Sequence, residues 1–244
     1  MTATTPDALN ISEDVFVWNT LFERRMADLQ HSASEAFLRG MRTIGLSPDS
    51  VPSLAKINAR LTPLTGWQAV EAHGFLPAAE FFESLSQRRF PTVTRLRKAS
   101  ELEYTPAPDI FHDVFGHVPM HADPVFADFL QRFGGLAAQV NTENARQRLT
   151  RLFWFTVEFG LIRQDGDTKV YGSGLISSHK ECLHALSGLP ELRPFDLHAV
   201  MAQDFRHDTI QPAFFVIDSH DQLFAAVEEA AALLKTGALD APLK

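Results

Sequence analysis

The stretch PDIFHDVFGHVP, residues 108–119, places two histidines five residues apart in a segment that is otherwise apolar and aromatic. On a straight α-helix, residues five apart differ by about 7.5 Å in rise and about 140° in direction, so His112 and His117 would not share a face. Gly116 and Pro119 predict a bend that turns His117 back toward His112, because glycine adopts conformations closed to other residues and proline stops a helix. An unpaired imidazole in apolar surroundings costs free energy that a bound metal removes. The segment is therefore a candidate metal site, with ordinary hydrogen-bonded histidines as the alternative.

A third ligand is available in FWFTVEFGL, residues 153–161, where Glu158 is the only acid among aromatic and β-branched residues. A carboxylate in such surroundings must be paired, protonated or bound to a cation. Two histidines and one carboxylate are typical of non-haem Fe(II) sites that leave positions open for O₂. Catalytic zinc uses the same donors, but usually with histidines four apart and a nearby general base. The spacing of His112 and His117 therefore favours iron over zinc.

A second histidine pair has the same spacing. His179 and His184 flank Glu181 in SSHKECLH, residues 177–184. This segment is more polar and lacks the Gly-x-x-Pro pattern. We interpret its histidines as ordinary helix residues.

The composition is that of a globular protein without a nucleic-acid or membrane partner. The chain has 244 residues, of which 45% are hydrophobic, and a formal net charge of −8. Nucleic-acid binding needs clustered positive charge and a membrane helix needs about 18 apolar residues in a row, and the sequence has neither. The first residues lack a signal-peptide pattern, which predicts a cytoplasmic protein. Cys182 is the only cysteine, so histidines and carboxylates must hold any metal.

Hydrophobic periodicity predicts a mainly α-helical single domain at 13–244 after a mobile leader at 1–12. One long helix is expected from Ser12-Glu13 to about Met41, broken once. Further helices are expected at about 52–61, 76–90, 123–133, 144–163, 178–187, 196–203 and 220–236. Short strands are expected at 91–96, in TKVYGSG (168–174) and in PAFFVID (212–218). No internal repeat or flexible linker indicates a domain boundary.

Three segments together carry a resemblance to a known family. PAPDIFHDVFGHVPM, FWFTVEFGL and KVYGSGLISS occur in this order, and they resemble the tetrahydropterin-dependent aromatic amino acid hydroxylases, most closely the short bacterial phenylalanine hydroxylases. The similarity spans about Leu61 to Phe215. It implies a mainly helical catalytic domain with a few short β-strands. It also implies one Fe(II) on His112, His117 and Glu158, with tetrahydropterin and O₂ used to hydroxylate the ring of a free aromatic amino acid.

The resemblance also implies roles for residues around the metal. Arg97 matches the arginine that binds the substrate carboxylate, with Arg95 as the substitute if the register differs; a bidentate Arg–carboxylate pair fixes position as well as adding affinity. Thr105 and Ser177 match residues that touch the same carboxylate. The residues expected to line the ring pocket are Pro108, His117, Trp154, Phe159 and His207. The residues expected at the pterin are Gly74, Leu76, Phe81 and Asp113, with Asp113 acting through a water because relatives commonly have the longer glutamate there.

The sequence departs from the family pattern at three positions. Phe153 replaces a tyrosine near the iron, His207 stands at a position associated with substrate choice, and Ser173 replaces a small apolar residue in the Tyr-Gly-x-Gly turn. Phenylalanine is the expected substrate and tyrosine the product, while tryptophan and the meta position of phenylalanine remain alternatives. A zinc hydrolase and a non-catalytic pterin or amino acid binding protein are more distant alternatives. The chain lacks the regulatory domain and tetramer helix of animal members, which predicts a monomer.

Overall fold

The structure is a computed structural model, and it describes residues 6–74, 76–103, 105, 107–207 and 209–241. The helices are α1 (Pro6–Ser32), α2 (Glu35–Ile44), α3 (Leu54–Thr65), α4 (Ala78–Ser86), α5 (Pro124–Ala137), α6 (Glu143–Phe153), α7 (Ser173–Ser177), α8 (His179–Leu186), α9 (Leu197–Ala202) and α10 (His220–Lys235). The strands are β1 (Gln68–Ala72), β2 (Arg89–Val93), β3 (Leu161–Gln164), β4 (Asp167–Val170), β5 (Glu191–Pro194) and β6 (Ala213–Ile217). The predicted mainly helical fold with a few short strands is confirmed.

Two π-helical segments, Phe111–His117 and Trp154–Glu158, interrupt this pattern. A 3₁₀ turn, Val118–Ala122, follows the first segment, and the second continues directly from α6. The helix expected over 144–163 therefore continues to Glu158, with its last part widened into i→i+5 hydrogen bonding. The prediction is wrong beyond Glu158, because β3 begins at Leu161. The N–H of Phe159 donates to the carbonyl of Trp154 at 2.8 Å.

The N-terminal helix pair shows one correct and one wrong prediction. The expected break lies between α1 and α2, where the Ser34 hydroxyl accepts the N–H of Phe37 at 3.3 Å and caps α2. The helix start expected at Ser12 is wrong, because α1 begins at Pro6. Proline suits the first turn of a helix, where its missing N–H is not needed. Residues 1–5 of the expected leader lie outside the described residues, and the mobility of the leader stays a prediction.

The predicted end of α3 is also wrong, because it was placed before a proline. The sequence predicts a helix that stops before Pro63, but Pro63 lies in the last turn of α3. The helix ends instead at Gly66, whose φ of 76° is in the left-handed region that favours glycine.

The strands form two small sheets. β1 and β2 pair in parallel, with Ala69 opposite Phe90, and the second sheet has the order β4-β3-β6-β5. Of the expected strands, 212–218 matches β6, while 91–96 is shifted because β2 covers Arg89–Val93. TKVYGSG divides into the end of β4 and the start of α7. β1, β3 and β5 were not predicted from the sequence.

The apolar side of the first π-helical segment forms part of the core. Phe111 and Phe115 stack with ring centroids 4.5 Å apart. Trp18 of α1 packs on Phe111 and Phe22 packs on Phe115, at 5.4 and 5.3 Å between centroids. This packing fixes the segment that carries His112 and His117.

No helix in the described part of the chain has the length and apolar character needed to cross a lipid bilayer.

Candidate metal centre and active site

The two histidines of the opening segment meet, although not through the expected bend. The Nε2 atoms of His112 and His117 lie 3.3 Å apart. Because a π-helix joins residue i to residue i+5, residues five apart lie one turn apart along its surface. The prediction that the two rings converge is therefore correct, and the Gly116–Pro119 bend proposed to bring them together is wrong.

Gly116 has a packing role instead. A Cβ atom at this position would lie 3.0 Å from the carbonyl oxygen of Ser173 and 3.3 Å from the Cβ of Ser173. The missing side chain thus lets α7 approach the histidine segment closely. Pro119 lies in the first turn of the following 3₁₀ segment and does not stop the chain's helical path.

Glu158, at the end of the second π-helical segment, completes the cluster. Its Oε1 lies 3.1 Å from the Nε2 of His117, and its Oε2 lies 3.9 Å from the Nε2 of His112. Burial raises the pKa of the Glu158 carboxyl, but the neighbouring His117 and His112 and a hydrogen bond from Ser173 outweigh it and lower the pKa to about 2. Glu158 is therefore a carboxylate at neutral pH, the form that binds a cation.

The separations of these donor atoms fit a single metal ion. A metal with bonds of about 2.1 Å in octahedral geometry holds neighbouring donors about 3 Å apart. The His112–His117 and His117–Glu158 distances of 3.3 and 3.1 Å are close to this value. The side chains of His112 and Glu158 are 22% and 15% exposed, which leaves one side of the cluster open. Two imidazoles and a carboxylate on one face of a metal are the donor set of non-haem Fe(II) sites.

Asp113 offers a second carboxylate beside the same histidines. One of its oxygens lies within 4.8 Å of a nitrogen of both His112 and His117. However, its Oδ2 accepts the N–H of Val93 at 2.7 Å, so the carboxylate ties the histidine segment to β2. Glu158 is the stronger candidate for the third ligand, because its two oxygens lie 3.1 Å from Nε2 of His117 and 3.9 Å from Nε2 of His112. Burial raises the pKa of Asp113, with both histidines acting in the opposite direction.

Arg97 is buried and bound to Asp109, a partner that the sequence analysis missed. The Arg97 Nε and Nη2 donate to the two oxygens of Asp109 at 2.8 and 2.9 Å. Asp109 also accepts the N–H of His112 at 3.1 Å. Although burial raises the pKa of Asp109, Arg97 and the His112 N–H lower it below its ordinary value. Arg95, the substitute for Arg97, is half exposed and lies 3.6 Å from Glu101.

The hydroxyl groups expected at the substrate carboxylate have partners of their own. Ser177 Oγ lies 2.9 Å from Nδ1 of His112, on the side of the ring away from the candidate metal position. Thr105 donates to the carbonyl of Ala107 at 3.1 Å. The structure thus gives Ser177 a direct contact with a candidate metal ligand, and the substrate roles of Ser177 and Thr105 stay predictions.

Trp154, expected to line the ring pocket, contacts an aromatic residue that was not predicted from the sequence. Its ring centroid lies 4.7 Å from that of Phe159 and 4.3 Å from that of Phe205, and the Phe205 ring is nearly parallel to the indole. Phe205 lies far from Trp154 in sequence, so periodicity alone gave no signal for the contact. His207, expected in the same pocket, lies exposed in a turn.

Three of the expected pterin-binding residues lie on α4 and the loop before it, and the fourth, Asp113, lies on the histidine segment. Phe81 is half-buried, and its ring meets Phe153 edge-on at 5.7 Å. Gly74 has a φ of 85° and open space where a Cβ would lie, and Leu76 is half-buried. Gly74 and Pro108 share a cavity of about 230 Å³ with residues of β2 and its flanking loop.

The second histidine pair does not form a comparable cluster. His179 Nδ1 lies 2.7 Å from an oxygen of Asp28, and His184 Nε2 lies 3.0 Å from the carbonyl of Gln211. Each ring therefore has a separate partner, in agreement with their interpretation as ordinary helix residues.

Comparison with known proteins identifies the family. The family model of biopterin-dependent aromatic amino acid hydroxylases matches residues 5–237. The chain is 44% identical over 214 residues to a phenylalanine-4-hydroxylase from Ralstonia nicotianae, covering 87% of this chain and 68% of that protein.

Solved structures agree with this match. Phenylalanine hydroxylase from Chromobacterium violaceum with bound Fe(III) superposes with a TM-score of 0.90 at 40% identity, covering 99% of this chain and 89% of that one. The same enzyme with iron(III) and 7,8-dihydrobiopterin gives a TM-score of 0.87 at 40% identity, covering 96% and 87%. The chain therefore belongs to the biopterin-dependent aromatic amino acid hydroxylases.

Proposed function

We propose that this chain is an iron monooxygenase that converts phenylalanine to tyrosine with a tetrahydropterin and O₂. The observation that carries the proposal is the convergence of His112, His117 and Glu158, whose facing donor atoms lie 3.1 to 3.9 Å apart. The names of the relatives support the substrate, since the Ralstonia nicotianae protein is a phenylalanine-4-hydroxylase. The Chromobacterium violaceum structures support the two cofactors, since they contain iron and dihydrobiopterin.

Three side chains would hold Fe(II): His112 and His117 through Nε2 and Glu158 through Oε1. Iron held there would supply the redox chemistry needed to activate O₂. The protein keeps these ligands in place through their own hydrogen bonds. Ser177 orients His112 through Nδ1, and such contacts fix the ring and its tautomer.

Arg97 is the group that would anchor the amino acid. Asp109 occupies its Nε and Nη2, which leaves Nη1 for the substrate carboxylate. A guanidinium already fixed by one carboxylate loses little further entropy on binding a second. The anchored amino acid can then place its ring beside Trp154 and Phe159. Stacking on Phe205 holds the Trp154 indole in position, and the indole in turn contacts Phe159.

The pterin would lie on the side of Phe81. This ring is half-buried between Phe153 and Phe90, at 5.7 and 6.1 Å, and so presents a fixed aromatic surface. Gly74 and Leu76 border the same region, and Gly74 leaves space for close approach to its backbone. Asp113 would reach the pterin through a water, because its Oδ2 is already bonded to Val93.

The test is a product analysis with competing substrates. Metal-free protein is loaded with Fe(II) or with zinc and given tetrahydropterin, O₂ and equimolar phenylalanine, tyrosine and tryptophan. We expect para-tyrosine from the iron-loaded protein and no product from the zinc-loaded protein. Meta-tyrosine or hydroxytryptophan would contradict the proposed substrate and ring position. Absence of any product would favour a hydrolase or a binding protein.

We also propose that the protein acts as a single catalytic domain, as a monomer and in the cytoplasm. The continuous hydrophobic core from Val17 to Leu239 supports the single domain. Light scattering coupled to gel filtration tests the monomer, and cell fractionation tests the location.

A further inference from the structure

The hydroxyl of Ser173 contacts the candidate carboxylate ligand directly. Its Oγ lies 2.8 Å from Oε2 of Glu158 and 3.3 Å from the carbonyl oxygen of Val157. The residue is 1% exposed, so water does not compete for these contacts.

The hydrogen bond runs to the carboxylate and not to the carbonyl. A serine hydroxyl has one hydrogen to donate, and both neighbouring oxygens are acceptors. The Glu158 oxygen is nearer and carries charge, and hydrogen bonds to ionised acceptors are shorter and about twice as strong as neutral ones. Ser173 therefore donates to Oε2.

The backbone on either side of Ser173 fixes the position of this hydroxyl. A Cβ at Gly172 would lie 2.5 Å from the carbonyl oxygen of Glu158, and a Cβ at Gly174 would lie 3.1 Å from the same atom. The two glycines thus let the turn lie directly against the backbone of Glu158. Replacing the Ser173 hydroxyl leaves that backbone packing intact.

The two oxygens of Glu158 consequently have different surroundings. Oε1 faces His117 at 3.1 Å, while Oε2 is held by Ser173 and lies 3.9 Å from Nε2 of His112. We propose that Ser173 is a positioning residue that restrains Glu158 to bind the metal through Oε1 alone, which keeps a further coordination position open. This inference rests on the proposed function, because it requires a metal at His112, His117 and Glu158.

Co(II) binding to the full chain tests the inference without relying on turnover. Co(II) affinity and the visible absorption of the bound ion are measured for the wild type, Ser173→Ala and Ser32→Ala. Ser32 is the matched control, because its hydroxyl donates to the backbone carbonyl of Asp28 at 3.0 Å, away from the site. Thermal unfolding of each metal-free variant checks that it is folded.

We expect Ser173→Ala to bind Co(II) about 10-fold more weakly, the size typical for loss of a hydrogen bond to a metal ligand. Its absorption band should also change in intensity, because the freed Oε2 can enter the coordination sphere. Ser32→Ala should match the wild type in both respects. If Ser173→Ala has wild-type affinity and spectrum, the inference is wrong while the proposed function stands. If the wild type itself binds no Co(II), the proposed function fails together with the inference.

Discussion

Asp109 holds Arg97 through two parallel hydrogen bonds, from Nε at 2.8 Å and from Nη2 at 2.9 Å, and the carboxylate is fully buried. The backbone N–H of Arg97 donates to the same carboxylate at 3.0 Å. Asp109 also accepts the N–H of His112. One buried carboxylate therefore links the proposed substrate anchor to the segment that carries two proposed metal ligands.

Replacement of Asp109 by asparagine should destabilise the protein strongly. Removing one partner of a buried ion pair leaves the other charge uncompensated, which typically costs about 3 to 5 kcal/mol. Urea unfolding at neutral pH measures this change in the free energy of unfolding. Glu103→Gln is the control, because Glu103 pairs with Arg24 while 89% exposed, and exposed pairs contribute about 1 kcal/mol or less. Equal unfolding midpoints for the two variants would contradict the account.

Replacement of Arg97 by lysine should raise the KM for phenylalanine. Lysine keeps the positive charge toward Asp109 but lacks the Nη1 group proposed to bind the substrate carboxylate. A hydrogen bond to a charged group, worth about 1.5 to 3 kcal/mol, is therefore lost. This corresponds to a rise of about 10-fold or more in KM. Arg95→Lys, at the half-exposed substitute position, should leave KM unchanged. A rise in KM for the Arg95 variant alone would show that Arg95, and not Arg97, binds the substrate carboxylate.

The hydrogen bonds from Arg25 of α1 to the backbone of α7 should contribute strongly to the stability of the fold. Its side chain is 3% exposed and donates to the carbonyls of Ile176 and Leu175 at 2.8 and 3.2 Å. Arg25→Met leaves these carbonyls without their donor, at a cost of about 1 to 3 kcal/mol for each buried group left unsatisfied. Arg24→Met removes only an exposed ion pair and should change the free energy of unfolding by about 1 kcal/mol or less. A similar decrease in the free energy of unfolding for the two variants, measured by urea unfolding, would show that the buried hydrogen bonds of Arg25 contribute no more than the exposed ion pair of Arg24.

Lowering the pH should destabilise the start of α5, because the carboxylate of Asp123 caps this helix and becomes protonated in acid. Burial raises the pKa of its carboxyl, but His220, the Phe126 N–H and Arg39 lower it from 3.8 to about 2. As the pH falls, the Asp123 carboxyl takes up its proton in the unfolded chain at a higher pH than in the native protein. Asp123 therefore stabilises the fold by about 2 kcal/mol above pH 4, and this contribution is lost as the pH falls toward 2. The stability difference between the wild type and Asp123→Asn, measured by urea unfolding from pH 5 to pH 3, should therefore shrink on acidification. A constant difference would show that the pKa of Asp123 is not lowered in the native state.

The candidate metal ligands could be predicted from sequence because their surroundings are chemically unusual. His112, His117 and Glu158 stand out as polar residues in apolar runs, and burial of such groups demands a partner. The geometry that joins them could not be predicted in the same way. The π-helical turns depend on how Phe111 and Phe115 pack against α1, and propensities for single residues do not report such packing.

The residues that support the site were missed for a related reason. Arg25 contacts Ile176 across 151 positions of sequence, and Phe205 reaches Trp154 from a different segment of the chain. Ser173 was noted only as a departure from a motif, because nothing in its neighbours shows that its hydroxyl faces Glu158. Contacts between distant segments become visible only when the fold is known.

The most direct test of the account locates the metal with two matched glutamate variants. Glu158→Gln and Glu181→Gln remove the charge from the carboxylate of the proposed centre and from the carboxylate between the second histidine pair. Metal content after loading with Fe(II) and dialysis, together with tyrosine formation, is measured for both variants and the wild type. We expect about one iron per chain and turnover in the wild type and in Glu181→Gln, with both lost in Glu158→Gln. Retention of iron and turnover in Glu158→Gln would contradict the assignment of Glu158 to the metal.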